Sequence, residues 1–251
     1  MYPEAAGVYA REKGLSIKES AQTFMQVAAL RHLSDPLARF MGGTALVLGY
    51  GNPDVDLTQV SDPQNLKAGL IRARAELEGW FQSPVTLLAP ERGGRTWRLT
   101  IRMGRAESVR LHIDSQKFAA HTSRPLVITY PSIPPFVCEA LEIDEIMAEK
   151  IIAVACRRYL GGRDLFDLWF HWLRSEDWMS RSRLIFEFVE RKMRERSLKG
   201  GEFWPLFKSR LSGEASLERA RGEWRRYLPP DFQKPAVLND IVARCRLLQG
   251  A

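Results

Sequence analysis

The chain reads as an α+β protein, with a largely antiparallel sheet and its helices in residues 1–132 and a helical part in residues 133–251. Two patterns lead there. Between residues 85 and 130, short runs with the two-residue period of half-buried strands are separated by turn residues. From residue 142 onward apolar residues recur at steps of three and four, the period of helices, and Pro131, Pro134 and Pro135 punctuate the change.

Taken in order, residues 16–33 carry a helical pattern that opens on Ser16 with Glu19 three residues on. In that spacing a hydroxyl and a carboxylate can satisfy each other's backbone N–H groups. A short helix over 44–49 is expected after Gly42-Gly43, and Gly51-Asn52-Pro53 breaks it before a strand carrying Asp54 and Asp56. Residues 63–82 return to helical spacing through Leu66, Leu70, Ile71, Ala75 and Leu77. Strands follow at 85–89, 96–103 and 109–114, separated by the turns at 91–94 and 104–107, and residues 126–130 add another. Trp97, Leu99, Ile101 and Met103 share one face of the second, and Val109, Leu111 and Ile113 one face of the third. That leaves Arg110, His112 and Asp114 opposite. Residues 142–160 form a helix that stops at Gly161-Gly162, and a very apolar helix starts at Arg163.

Composition narrows the classes. With 251 residues, 45% of them hydrophobic, the chain can bury a large core. The longest strongly apolar run, residues 151–156, is too short to span a bilayer, and the first residues lack the pattern of a signal peptide, so a cytoplasmic protein without membrane association is expected. Cys138, Cys156 and Cys245 are odd in number and widely spaced; they suggest neither disulfides nor zinc and read as buried small hydrophobes. His32, His112, His121 and His171 lack a pairing pattern, and no spacing supports Ser-His-Asp or Cys-His catalysis. The net charge of +7 is unevenly placed. Residues 1–173 hold 20 Lys and Arg against 19 Asp and Glu, whereas residues 174–251 hold 17 against 11. Either a polyanion meets the last third, or Arg181, Arg183, Arg191, Lys192, Arg194 and Arg196 coat solvated helix faces.

Three constellations carry chemistry. The first is Gly42-Gly43-Thr44, a small-residue turn at a helix start whose free N–H groups suit a phosphate. Next comes Asp54-Val55-Asp56, which places two carboxylates on one face of a strand. Their repulsion is relieved by a divalent cation, and hard oxygen ligands suit Mg²⁺. Third, Lys150 falls in the apolar stripe of the 142–160 helix, where its head must either escape to solvent or meet an anion. Asp164 and Asp167, on one face of the next helix, are available anions, although both also suit a helix N-terminus.

Gly-Gly-Thr-Ala-Leu at 42–46, Asp-x-Asp at 54–56, Ala-Glu-Lys-Ile-Ile-Ala at 148–153 and Arg-Asp-Leu-Phe-Asp-Leu-Trp at 163–169, in that order, resemble the nucleotidyltransferase AbiEii/AbiGii toxin family. The resemblance implies a DNA polymerase β-like nucleotidyltransferase core with a mixed sheet, a helical C-terminal part, and transfer of a nucleotide from NTP, in some relatives onto the 3′ end of tRNA. It assigns Gly42, Gly43 and Thr44 to the phosphates, Asp54 and Asp56 to Mg²⁺ or Mn²⁺, Lys150 to the helix lysine, and Asp164 and Asp167 to the acidic motif that follows. Lys150 would then touch the triphosphate, beside Asp164, or hold Asp167. The third carboxylate of such sites aligns with His112, and Asp114 two residues on is the acid assigned to that role, as ligand or base. A solvated surface strand explains Arg110, His112 and Asp114 equally well.

The chain departs from the family where a lysine often precedes the glycines and Arg-x-Ser precedes the aspartates; here stand Phe40-Met41 and Gly51-Asn52-Pro53. Three functions are therefore weighed. The first is a tRNA-modifying toxin with an antitoxin encoded nearby, its basic helices with Trp204 and Trp224 receiving RNA unless those rings are core. The second is a degenerate fold that binds NTP or nucleic acid without chemistry. The third is an enzyme that nucleotidylates a small molecule or a protein.

Overall fold

The computed structural model describes residues 7–8, 11–12, 16–33, 39–41, 54–58, 63–91, 95–103, 107–115, 120–227 and 232–248. The chain forms two compact units, Met1–Leu141 and Glu142–Ala251. The first contains helix α1 (Ile17–Leu33), strands β1 (Arg39–Met41) and β2 (Asp54–Thr58), helix α2 (Pro63–Phe81) and strands β3 (Val85–Leu88), β4 (Thr96–Met103), β5 (Glu107–Ser115), β6 (Ser123–Tyr130) and β7 (Ile133–Leu141). These make one seven-stranded sheet of order β3-β4-β5-β2-β1-β7-β6. It is mixed: β2 runs parallel to β5 and β1 to β7, and the other neighbours are antiparallel.

The expected reciprocal cap opens α1. The Ser16 N–H donates to Glu19 Oε2 at 2.8 Å, and the Glu19 N–H to Ser16 Oγ at 3.2 Å. Phe24, Met25, Val27, Ala28 and Leu30 are buried because α1 packs against both α2 and the sheet. The Phe24 ring meets Trp80, Phe81 and Tyr130 edge-on, with centroids 5.7, 5.7 and 6.0 Å away. Close approach of the two helices needs Gly69, where a Cβ would stand 2.6 Å from the His32 carbonyl oxygen. On α2 the buried stripe is Leu66, Leu70, Ala73 and Leu77, whereas Ile71 and Ala75, expected on it, are exposed: both lie on the flank turned from α1.

The sheet does not end at residue 132. Residues 133–141, expected as the start of the helical part, form β7, with Pro134 and Pro135 inside it. Its register with β6 places Ile133 opposite Tyr130 and Phe136 opposite Ile128, so the two prolines oppose a single residue. A bulge already interrupts the ladder, which is where a strand tolerates proline. The short helix expected over 44–49 lies outside the described residues.

The second unit is helical, as expected: α3 (Ile143–Cys156), α4 (Gly162–Leu168), a π-helical turn (Trp169–Leu173), α5 (Trp178–Glu195), α6 (Gly200–Ser212), α7 (Glu214–Tyr227) and α8 (Pro235–Leu247). Helix α3 ends at Cys156, four residues earlier than expected, with Arg157 extended. The glycines start α4 rather than stop α3, and no side chain caps it. A Cβ on Gly162 would stand 2.5 Å from the Ala220 carbonyl oxygen, so glycine lets α4 approach α7. The charge run of α5 divides. Arg183, Arg191 and Arg194 are exposed, but Lys192 is fully buried, with Nζ 2.7 Å from Glu145 Oε1 and 3.0 Å from Glu149 Oε1. Arg196 reaches Glu149 at 2.6 Å and Arg181 binds Asp144. Half of that run therefore clamps α5 onto α3, which the sequence reading of solvated or ligand-binding faces misses.

Candidate active site

The apolar alternation of β5 puts Val109, Leu111 and Ile113 in the core, at most 1% exposed, and leaves Arg110, His112 and Asp114 on the opposite face. Its two neighbours then set the rows across that face. Parallel pairing with β2 aligns Asp54 with His112, Val55 with Ile113 and Asp56 with Asp114. Antiparallel pairing with β4 aligns Arg98 with His112 and Thr96 with Asp114. One row therefore reads Thr96, Asp114, Asp56 and the next Arg98, His112, Asp54. The Thr96 hydroxyl donates a short hydrogen bond to Asp114 Oδ1, which fixes that carboxylate. The chain leaves β1 at Met41, which stands in register with Asp56. Gly42, Gly43 and Thr44 lie outside the described residues.

The second constellation belongs to the helical unit. Lys150 does not escape to solvent: its Nζ lies 3.0 Å from Asp164 Oδ1 and 2.7 Å from Asp167 Oδ2. Asp164, 2% exposed, takes its second partner from Arg157 at 2.5 Å. Burial works against the ammonium, yet the carboxylates of Asp164 and Asp167 outweigh it and hold Lys150 well above its ordinary pKa. Asp167 is pushed up from the usual carboxylate range by burial, with Lys150 opposing the rise. The acids of α4 thus serve Lys150 rather than the helix N-terminus.

Three contributors escaped the sequence reading. Arg157 supplies a second cation to Asp164, a role invisible while residues 157–160 are read as helix. Thr96 had no signal beyond its place on an exposed strand face. His171, read as structural, sits in the π-helical turn beside Asp167. Burial lowers its pKa, with Arg174, Lys150 and Arg181 adding to the effect and Asp167 opposing it. Interruptions of this kind mark functional segments in other helices. Trp224, in contrast, is core, its Nε1 donating to the Phe232 carbonyl at 2.5 Å, and Trp204 packs edge-on among Phe186, Phe203 and Phe207.

Thiol chemistry finds no support. Burial pushes Cys138 up to about 11 and Cys245 up to about 12. Cys156, expected buried, is exposed, because α3 ends there. Among the described residues no three His, Cys, Asp or Glu side chains gather into a metal site, and no helix is long and apolar enough to cross a membrane.

MenT4, a nucleotidyltransferase toxin from Mycobacterium tuberculosis H37Rv, shares the fold at a TM-score of 0.58 and 15% sequence identity, over 98% of this chain and 99% of that one. No curated protein matches the chain in sequence. Residues 24–243 match the nucleotidyl transferase AbiEii toxin family, a type IV toxin–antitoxin system, so that both compact units fall largely within the match. With that span matched, the chain belongs to the AbiEii family and is a nucleotidyltransferase toxin of a type IV toxin–antitoxin system.

Proposed function

We propose that this nucleotidyltransferase moves a nucleoside monophosphate from an NTP onto the 3′ end of an RNA, with tRNA as the first acceptor to test, and that Asp54, Asp56 and Asp114 hold a divalent cation, Mg²⁺ or Mn²⁺. The register that sets Asp56 beside Asp114 and Asp54 beside His112 carries this reading. It gathers three carboxylate-bearing positions on adjacent strands, a donor set of hard oxygens that fits such an ion. When bound, the ion neutralises phosphate charge and orients the attacking and leaving oxygens.

The chain's own residues do the rest. Asp114, oriented by the Thr96 hydroxyl, is a ligand or accepts the proton as the RNA 3′-hydroxyl attacks the α-phosphate and pyrophosphate leaves. His112 is its competitor for the proton. Gly42, Gly43 and Thr44 would hold phosphate oxygens through backbone N–H groups. Lys150, with two carboxylates on its ammonium, is a positioning residue that holds Asp164 and Asp167. A protein of this family in the cytoplasm would be opposed by an antitoxin encoded nearby.

The test incubates the protein with each labelled NTP, Mg²⁺ and total tRNA, beside an Asp54→Ala/Asp56→Ala variant. Label appearing on tRNA with wild type alone supports transfer. Equal labelling by both proteins removes the aspartates from the reaction, and label on protein or on a small molecule redirects the acceptor. Phe40-Met41 and Gly51-Asn52-Pro53, in place of the family's lysine and Arg-x-Ser, favour a second reading, binding without chemistry. That reading predicts RNA binding that survives Asp54→Ala and no label transfer by wild type.

A further inference from the structure

Where α3 ends, the chain crosses residues 157–161 and presents Tyr159, 44% exposed. Two guanidiniums lie on its ring: that of Arg219, from α7, 3.5 Å from the centroid, and that of Arg158 at 5.0 Å. Arg210, from α6, donates to the Arg158 carbonyl at 3.1 Å, and its Nε is buried without a partner. Arg196 and Arg210 both act on the neighbouring Cys156. Among the described residues neither Arg158, Arg210 nor Arg219 has a carboxylate partner. Elsewhere in this unit Lys150, Arg157, Lys192 and Arg196 are each matched to an acid.

Three guanidiniums from the α3–α4 linker, α6 and α7 thus converge without compensation, although they repel one another. The two on the tyrosine ring lie no more than about 8.5 Å apart, a distance comparable with the Debye length at physiological salt. The α3 C-terminus is a mild attractor of cations and accounts for one of them. An aromatic face that holds two arginines in place, with no acid to bind them, is preorganised for phosphate groups. Over the whole helical unit, residues 142–251, 21 Lys and Arg stand against 17 Asp and Glu, a surplus that favours a polyanion as the occupant.

We propose that Arg158, Tyr159, Arg210 and Arg219 form a clamp for the phosphate backbone of single-stranded RNA. The assignment rests on RNA as the acceptor in the proposed function and adds the surface of the helical unit that would hold it. Tyr159 holds the guanidiniums by cation–π contact, and the exposed part of its side chain adds apolar surface beside the phosphates.

The experiment measures fluorescence anisotropy of a labelled oligouridylate of about twenty nucleotides and of total tRNA across a salt series, with the full chain and no NTP. Arg158→Ala/Arg219→Ala is expected to weaken RNA binding about tenfold and to reduce the slope of log affinity against log salt by about one for each arginine. Arg158→Lys/Arg219→Lys keeps most of that slope, which separates charge from misfolding, and Tyr159→Ala costs at least about fivefold. Binding of free NTP, measured by calorimetry, stays at the wild-type value. Binding to RNA by the double alanine variant within twofold of wild type, loss of NTP affinity alongside, or a wild type that binds no RNA would each overturn the clamp. Transfer of label to tRNA is scored separately. Unchanged binding in the variants with active transfer sinks the clamp alone, whereas clamp-dependent binding without any transfer sinks the catalytic reading alone.

Discussion

Lys150→Met is the most revealing single perturbation, because it removes one cation from two buried acids. The side chains of Lys150, Asp164 and Asp167 are 11%, 2% and 12% exposed, so solvent screens their mutual attraction little. Methionine fills a similar volume, which leaves electrostatics as the main loss. Asp164 keeps Arg157, but that guanidinium is 62% exposed and screened, and among the described residues Asp167 keeps the weak influence of His171. Removing one partner of a buried ion pair costs about 3–5 kcal/mol. Against a domain stability of about 5–15 kcal/mol, that is roughly a fifth or more of the total. Urea unfolding followed by tryptophan fluorescence reads it well, since five of the seven tryptophans, Trp169, Trp172, Trp178, Trp204 and Trp224, lie in the helical unit.

The sign with pH is a second reading of the same change. In wild type the raised pKa of Lys150 keeps its contribution intact through neutrality, and it is lost only as pH rises through the folded value. In the variant Asp167 loses the cation that opposes its burial, so the carboxylate prefers its proton and the deficit shrinks as pH falls. A variant within about 1 kcal/mol of wild type at neutral pH would refute the ion-pair account, as would a deficit equal at about pH 5 and about pH 8. An unchanged KM for NTP in folded Lys150→Met supports holding of the acids over contact with the triphosphate.

Three further outcomes follow from the geometry. Gly162→Ala places a methyl group 2.5 Å from the Ala220 carbonyl oxygen and should cost about 1–3 kcal/mol of unfolding free energy, seen as a lower urea midpoint, whereas Gly201→Ala, with open space around it, should not destabilise the protein. Ser16→Ala removes one arm of the cap on α1 and should cost about 0.5–2 kcal/mol, with Ser16→Asp retaining most of the stability. The lowered pKa of His171 means that the unfolded chain binds the proton first. Stability contributed by this group is present above the ordinary histidine value and lost as pH falls through the folded one. His171→Gln should therefore flatten the decline of the urea midpoint on acidification, and an unaltered slope would remove His171 from that decline.

Local pattern was a reliable guide where a residue's neighbours in sequence decide its environment. The Ser16 and Glu19 cap, the helix at 63–81 and the inward face of β5 depend on spacing within one element, and all were legible. So was the choice facing Lys150, whose head in an apolar stripe had to reach either solvent or an anion; that it met an anion was decided by the packing of α4 on α3. Pairing across the chain was not legible. Pro134 and Pro135 speak against a strand unless the partner strand has one residue fewer to offer, a fact held by β6. Lys192 and Arg196 look like surface charge until α3 brings Glu145 and Glu149 against them.

By itself the order of residues determined the family motifs, the division into a sheet-bearing part and a helical part, and which acids stood as candidates, because composition and periodicity are properties of contiguous chain. Only the tertiary structure decided that β2 lies between β5 and β1, that Asp56 stands in register with Asp114, and that both acids of α4 turn to Lys150. Parallel strand neighbours are joined by long crossovers, and a side chain's partner in a helical bundle comes from another helix. Register and partner are therefore fixed by packing between distant segments, which no local spacing encodes.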